Sequence, residues 1–414
     1  MSLLANRPFL TFFNFDPTDP SRFHKGPIDE EYFDWLFSML EGTGLTFLYR
    51  CNTAGRTYYR SQVMAPFDHD CVDPYNEEAQ YWHRTAEMMD IGDPFAAAVK
   101  AARKHDVPIW AWCNWNEFQT VRRDYVSLID PVWYESPRKY WCSRDGSRFY
   151  HGIPAFGDPD VQERLVAMTR EILEYGVEGL YLSTRSHSWW ACFDAPGWDD
   201  HLELFGFNDC VVEEYRKRHD VDIRFEDYDY DEFLRIKGDH FSEMLAKVGQ
   251  TMHDAETPFI IGVSPDRYEL CVEFEAQNRS PAKYLHMYKD WERWVRDGAV
   301  DGLCSERACP HEKVLDPPGL NVFRDAIPDG FPLFLWLDMG RWINRGFGPF
   351  HLGNWDRYPV DETMGMIEQA RKSVSGGAFL HTLYHYTACD SGGESIGGYG
   401  VLPRTEYFDA FREG

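Results

Sequence analysis

Short apolar runs recur along the whole chain, each followed by a polar or aromatic stretch and then by an amphipathic segment of helical period. Read as strands, the runs are Arg7 to Phe15, Leu45 to Tyr49, Val107 to Trp112, Val177 to Ser183, Pro258 to Ser264, Ala299 to Arg307, Phe331 to Asp338 and Gly377 to Tyr384. The amphipathic segments predict helices over Asp29 to Glu41, Pro94 to His105, Pro159 to Tyr175, Asn208 to His219, Tyr230 to Ala255, Ala282 to Arg296, Leu320 to Ala326 and Asp361 to Val374. Asp93-Pro94 and Asp158-Pro159 carry the cap and first-turn residues that start a helix. Strands alternating with helices in this way specify an α/β fold, a (β/α)8 or TIM barrel. The long inserts, about 50–92, 113–158 and 184–207, all follow strands, whereas the returns from helix to strand are as short as Tyr175-Gly176 and Ser375-Gly376. Such asymmetry is expected of a barrel whose catalytic face has been built up. The first insert, with Arg56, Tyr58, Tyr59, Arg60 and Asp68-His69-Asp70, reads as a lid rather than as core. The repeated fragments GVEGLYLS and AVDGLCSE place Glu178 and Asp301 at the opposite, structural end. No Pro/Ser-rich linker divides residues 1–414, so a single TIM-barrel catalytic domain is expected.

Composition narrows the partners. A net charge of -26 opposes nucleic acid and anionic membranes over most of the surface. Of the 42 basic residues 11 are Lys and 31 Arg, which supplies planar forks for carboxylate or sulfate groups. Aromatics reach 16%, with 15 Trp, and many lie in Gly/Pro/Asp-rich loops, where rings stack on sugars. The 10 Cys show neither CxxC pairs nor metal-ligand spacing, and Cys113 and Cys304 sit in apolar strands as reduced, buried thiols. No metal or other cofactor is therefore expected. The opening MSLLANRPFLTFFNF lacks the pattern of a secretory leader, and no apolar run approaches the ~20 residues that span a bilayer, which points to a cytoplasmic protein. A homo-oligomer is compatible with all of this.

Side chains alternate across a strand, so each run has an inward set at the barrel rim. In Ala299 to Arg307 it is Gly302, Cys304 and Glu306. In the next run Leu333, Leu335 and Leu337 face the helices, and Asp338 ends the opposite face. The fourth run points Gly179, Tyr181, Ser183 and Arg185 inward, the fifth Gly262, Ser264 and Asp266, and the third Trp112 and Asn114, followed by Glu117. Two carboxylates on neighbouring strands suit glycoside hydrolysis, in which one carboxyl protonates the leaving oxygen and the other attacks the anomeric carbon or activates water. Adjacent strands lie ~4.8 Å apart, which leaves retaining and inverting geometries both open. Glu306 and Asp338 are the leading catalytic candidates, with Asp266 and Glu117 behind them. Arg50, Arg185, Arg307 and Arg341, with Arg267 and Arg345, gather at strand ends and suit a uronate or sulfate group. Trp112, Trp115, Trp189 and Trp336 are candidate sugar platforms, and Asn14, Asn114, His187, His381 and Tyr384 complete the substrate-binding set. Strand ends without Lys argue against Schiff-base chemistry, and a first strand without HxH argues against a metal-dependent amidohydrolase.

The segments AARKHDVPIWAW and GDPDVQERLVAMTREILEYGVEGLYL resemble family-10-like glycosyl hydrolases, TIM barrels in which a dP-x-v-r helix precedes a strand reading roughly D-G-x-x-L-D. The resemblance implies a barrel acting on carbohydrate. Where such barrels carry a strand-four Asp this chain has Ser183, which implies that the carboxylate has moved, the reaction has changed or activity is lost. The favoured expectation is a glycosidase acting on an oligosaccharide or polysaccharide, with an acidic or sulfated one suited to the strand-end arginines. The alternatives are a non-catalytic carbohydrate-binding barrel and a lyase acting on a uronate polysaccharide.

Overall fold

Eight parallel strands close into a barrel: β1 (Leu10–Phe15), β2 (Thr46–Arg50), β3 (Ile109–Asn114), β4 (Leu180–Ser183), β5 (Phe259–Val263), β6 (Gly302–Cys309), β7 (Leu333–Asp338) and β8 (Gly377–His381). Each pairs with its chain neighbours, and β1 pairs with β8 to complete the ring. The structure is a computed structural model that describes residues 2–5, 7–24, 26–53, 55–71, 80–115, 130–184, 204–265, 267, 287–309, 319–342, 355–381 and 405–413.

Outside the ring lie α1 (Glu30–Leu40), α2 (Pro94–Lys104), α3 (Pro159–Glu174), α4 (Asp209–His219), α5 (Tyr230–Asp254), α6 (Trp291–Arg296), α7 (Leu320–Ala326) and α8 (Val360–Ser373). Their starts follow from local chemistry. Asp93 accepts the Phe95 and Ala96 amides ahead of Pro94, and Asp158 accepts the Asp160 and Val161 amides ahead of Pro159. Except for α4, which packs with the start of α5 in a cluster of its own, the apolar stripes of these helices meet the outward residues of the strands, such as Phe13, Phe47, Leu182, Leu303, Leu335 and Leu337, in one continuous core.

The barrel interior is a second cluster, built from Phe12, Leu48, Trp110, Trp112, Tyr181, Ile260, Cys304, Phe334, Trp336 and Phe379, with Leu4 of the N-terminal segment. Barrels are usually filled by branched aliphatic residues; here aromatic rings fill this one. Phe12 stacks on Phe379 at 4.3 Å and meets Trp110 edge-on at 5.1 Å. Rings this large fit because small residues face them: a Cβ on Gly179 would lie 2.3 Å from the Trp110 ring. At the floor, Asp301 accepts the Leu3 and Phe259 amides and pairs with His253, the structural use that its place at the start of a strand implied.

Two expectations change. The stretch after β2 is not a lid over the barrel, because Tyr58 and Tyr59 are fully buried and Arg56 nearly so. The Tyr49 hydroxyl donates to the Tyr58 carbonyl, and the Tyr59 hydroxyl donates to Glu171, so these rings extend the core. The helix expected from Ala282 begins instead at Trp291, capped by the Asp290 carboxylate, which accepts the Arg293 amide. The long inserts also hold their own elements, among them the helix Gln80–Ile91 and the hairpin of Tyr140–Cys142 with Phe149–Pro154.

A buried cation ties that hairpin to the helical layer. Lys237 of α5 is 2% exposed, with Nζ 4.3 Å from the centres of the Trp141 and Phe233 rings. Burial pushes its ammonium well below the ordinary lysine value, and the two ring faces restore only part of what water supplied. A lysine lowered in this way binds fewer protons folded than unfolded. Its contribution is therefore complete above the unfolded value, ~10.4, and is lost as pH falls from there towards the folded one. Lys237→Met is expected to raise the urea midpoint at pH 7, and the advantage is expected to shrink as the pH approaches 10.5. An equal effect at both pH values would refute a titrating lysine.

Candidate active site at the barrel mouth

The alternation that fills the barrel with rings also sets what stands at its rim. One step above Tyr181 and Cys304 come Ser183 and Glu306, and one step above Phe12, Leu48 and Trp110-Trp112 come Asn14, Arg50 and Asn114. Glu306 is 7% exposed. Tyr181 Oη donates to its Oε1 at 2.6 Å, Ser183 Oγ donates to the same oxygen, and the Thr184 amide donates to Oε2 at 3.2 Å. Three donors converging on one carboxylate suit its ionised form. Burial, and next the charge of Glu306, push the Tyr181 hydroxyl well above its usual value, so Tyr181 stays a donor; the same two causes raise the Cys304 thiol.

β4 and β6 are not neighbours, and β5 runs between them. Glu306 reaches the β4 side chains across the inward face of Gly262, where a Cβ would lie 2.3 Å from Glu306 Cδ and 2.5 Å from Tyr181 Oη. The strand itself is irregular here. Ser305 pairs with Leu335 and Cys309 with Leu337, so β6 carries extra residues beside Glu306, a device common next to active sites. Ser183, at the strand-four position where an Asp was expected by resemblance, thus serves a carboxylate supplied from strand six.

The rest of the rim divides into committed and uncommitted groups. Arg50 is ion-paired with Asp16, donates from Nε to the Asn52 carbonyl at 3.1 Å and lies 5.1 Å from the Trp112 ring. Burial works to raise the Asp16 carboxyl, but the Arg50 charge and the Thr18 hydrogen bonds outweigh it and hold it below its usual value. The Asn114 backbone is locked by the Asn52 side chain, whose Nδ2 donates to the Asn114 carbonyl at 2.7 Å and whose Oδ1 accepts the Asn114 amide at 3.0 Å. Arg267 is likewise paired with Glu292. By contrast, the Asn14 amide and the indole N–H groups of Trp112 and Trp336 are buried without a hydrogen-bond partner among the described residues. Trp336 packs 5.8 Å from Trp112, 6.0 Å from Tyr181 and 5.0 Å from the His381 ring, so these groups share one wall of the mouth. Trp115 points the other way, into the layer between barrel and helices.

Asp338 ends β7 on the same face as Trp336, level with His381 of β8, but its side chain and those of Arg307 and Arg341 lie outside the described residues. So do Glu117, Arg185, His187, Trp189, Asp266 and Tyr384. Among the described residues no cluster of His, Cys, Asp or Glu could hold a metal ion, and no helix is long and apolar enough to cross a membrane. The part of the site not anticipated from the chain is the cradle of Tyr181, Thr184 and Gly262 around Glu306.

A closed eight-stranded parallel barrel ringed by helices defines the class: a (β/α)8 or TIM barrel. Among solved structures it is similar to the catalytic domain of β-amylase from Paenibacillus polymyxa, with a TM-score of 0.53 and 11% identity over 98% of this chain and 97% of that one. It is also similar to β-galactosidase from the psychrophilic Marinomonas ef1, with a TM-score of 0.50 and 8% identity over 98% of this chain and 58% of that one. At such identities the likeness is one of fold. No family profile and no curated protein matches the sequence.

Proposed function

We propose that this protein is a glycoside hydrolase whose reacting carboxylate is Glu306. The observation that carries the reading is the triple-donor cradle holding Glu306 at the barrel mouth, beside the Trp112 and Trp336 indoles, which with the Asn14 amide of the rim are donors without a partner among the described residues. Buried polar groups without partners are costly, and sugar hydroxyls are natural acceptors for them. The likeness of the fold to barrels named as a β-amylase and a β-galactosidase agrees with a carbohydrate substrate.

With three donors on its oxygens, Glu306 is suited to attack or to base catalysis rather than to proton donation, which assigns the acid role to Asp338 on the adjacent strand. In a retaining course Glu306 attacks the anomeric carbon while the bond to the leaving sugar breaks and Asp338 protonates the departing oxygen; water then releases the sugar, and its proton returns to Asp338. In an inverting course Glu306 takes the proton of the attacking water. Trp112, Trp336 and Trp189 are proposed as sugar platforms, with His381 beside them. A preference for uronate or sulfate would rest on Arg185, Arg307 and Arg341, since Arg50 and Arg267 already hold carboxylates.

The test is product release from neutral, uronic and sulfated oligosaccharides, with absorbance followed in the near ultraviolet. New reducing ends support the proposal. Unsaturated products would mean a lyase, and binding without turnover a carbohydrate-binding barrel. On a cleaved substrate, Ser183→Ala is expected to lower kcat ~10-fold, the worth of one hydrogen bond to a charged group. A rate equal to wild type would remove Ser183 from the cradle.

A further inference from the structure

One charged side chain of the barrel end is not used in the reaction outlined above: Lys289. It is 1% exposed and stands just before the Asp290 cap of α6, with its amide bonded to the Arg267 carbonyl at 2.8 Å. Its Nζ lies 2.9 Å from Thr184 Oγ1 and 3.3 Å from the Thr184 carbonyl oxygen. The Thr184 hydroxyl donates its own proton to the Gly262 carbonyl at 2.6 Å, so towards Lys289 it acts as an acceptor. The Thr184 amide, in turn, donates to Glu306 Oε2. Lys289, Thr184 and Glu306 therefore form one continuous chain from the helical layer to the mouth, with the Gly262 carbonyl as a second anchor for Thr184.

This order of contacts has a direction. The carbonyl gripped by Lys289 belongs to the peptide after Thr184 and the amide given to Glu306 to the peptide before it, so the link acts through the placement of Thr184. Thr184 follows Ser183, which pairs with Asn114 in the barrel, and its hydroxyl is also anchored on the Gly262 carbonyl, so Lys289 completes a set of bonds that hold the Thr184 amide over Glu306. Burying a lysine is costly unless its hydrogen bonds are made, and two of those it makes go to the residue that touches the candidate carboxylate. The described titratable groups facing Glu306 directly are Tyr181 and Cys304, both held protonated by burial and by its charge.

We propose that Lys289 is a positioning residue for Glu306: it fixes Thr184 so that its amide caps Oε2, and it favours the ionised carboxylate from behind. This rests on Glu306 being the reacting group. It makes two separable demands, one on rate and one on the proton affinity of Glu306 itself.

The experiment compares wild type, Lys289→Met and Lys289→Arg. The protonated-carboxyl infrared band of Glu306 is isolated by subtracting the spectrum of Glu306→Gln and followed against pH, which needs no substrate. Losing the cation and the capping amide is expected to move that titration up by ~1 pH unit in Lys289→Met, with Lys289→Arg closer to wild type. On any substrate that wild type cleaves, kcat is expected to fall ~10–100-fold in Lys289→Met with KM little changed, and the acidic limb of the kcat profile to move with the infrared titration. Should Lys289→Met not fold, Thr184→Val, which removes the hydroxyl that Lys289 grips and keeps the amide, is expected to give the same upward shift. A Glu306 titration unmoved in folded Lys289→Met, or unmoved in Thr184→Val where Lys289→Met does not fold, overturns the proposal. A shift in a protein that cleaves no glycoside upholds the coupling and fails the hydrolase reading instead.

Discussion

Glu306→Gln is expected to leave a folded protein that releases product at least ~10³-fold more slowly than wild type, the scale associated with losing a group that takes part in the chemistry. Gln keeps the length and plane of the side chain, so it fits over Gly262 as Glu does. The hydroxyls of Tyr181 and Ser183 can turn to meet an amide, and the Thr184 amide still finds the Gln oxygen. The loss is then one of charge and nucleophilicity rather than of shape. Circular dichroism and the thermal midpoint check the fold, and kcat on a cleaved oligosaccharide checks the chemistry. A folded variant with the wild-type rate would move the reaction to another carboxylate, with Asp338, Asp266 and Glu117 the candidates.

Gly262→Ala should also be severe, for a different reason. The added methyl would start 2.3 Å from Glu306 Cδ and 2.5 Å from Tyr181 Oη, well inside van der Waals contact. Neither side chain has room to yield, because Tyr181 is walled in by Phe379 at 4.4 Å and Trp336 at 6.0 Å, and Glu306 is held by its three donors. Overpacking of this kind costs ~1–3 kcal/mol in stability. Displacing a reacting group by about 1 Å costs ~10² in rate. Both a lower thermal midpoint and a rate reduced ~100-fold are expected. Wild-type behaviour would mean that Glu306 does not lie against β5.

How much of this was legible in the chain can be traced residue by residue. The barrel was, because period-two apolar runs, helical stripes and the Asp-Pro caps at Asp93-Pro94 and Asp158-Pro159 agree with one another. The inward parity of Tyr181, Ser183, Gly262 and Glu306 was also readable. What parity does not give is distance across the barrel: that Ser183 and Glu306 meet depends on the missing Cβ of Gly262 and on the irregular pairing of β6 after Ser305, both tertiary facts. Arg50 looked available for an anion when taken alone. The register that sets Phe15 beside Tyr49 brings Asp16 beside Arg50, and that neighbour was present in the sequence at the end of the first strand. Lys289 was hidden by a helical pattern that runs on before Asp290, although Asp290 followed by Trp291 was the cap that should have ended it. Tyr58 and Tyr59 sat among polar residues, where nothing local distinguishes a buried insert from a lid.

The most direct measurement is reducing-end release from the neutral, uronic and sulfated oligosaccharides by wild type and Glu306→Gln side by side, with the fold of each verified. Wild type is expected to cleave at least one of them, and this cleavage is expected all but to disappear in Glu306→Gln. Cleavage that continues unchanged in Glu306→Gln would contradict the role of Glu306.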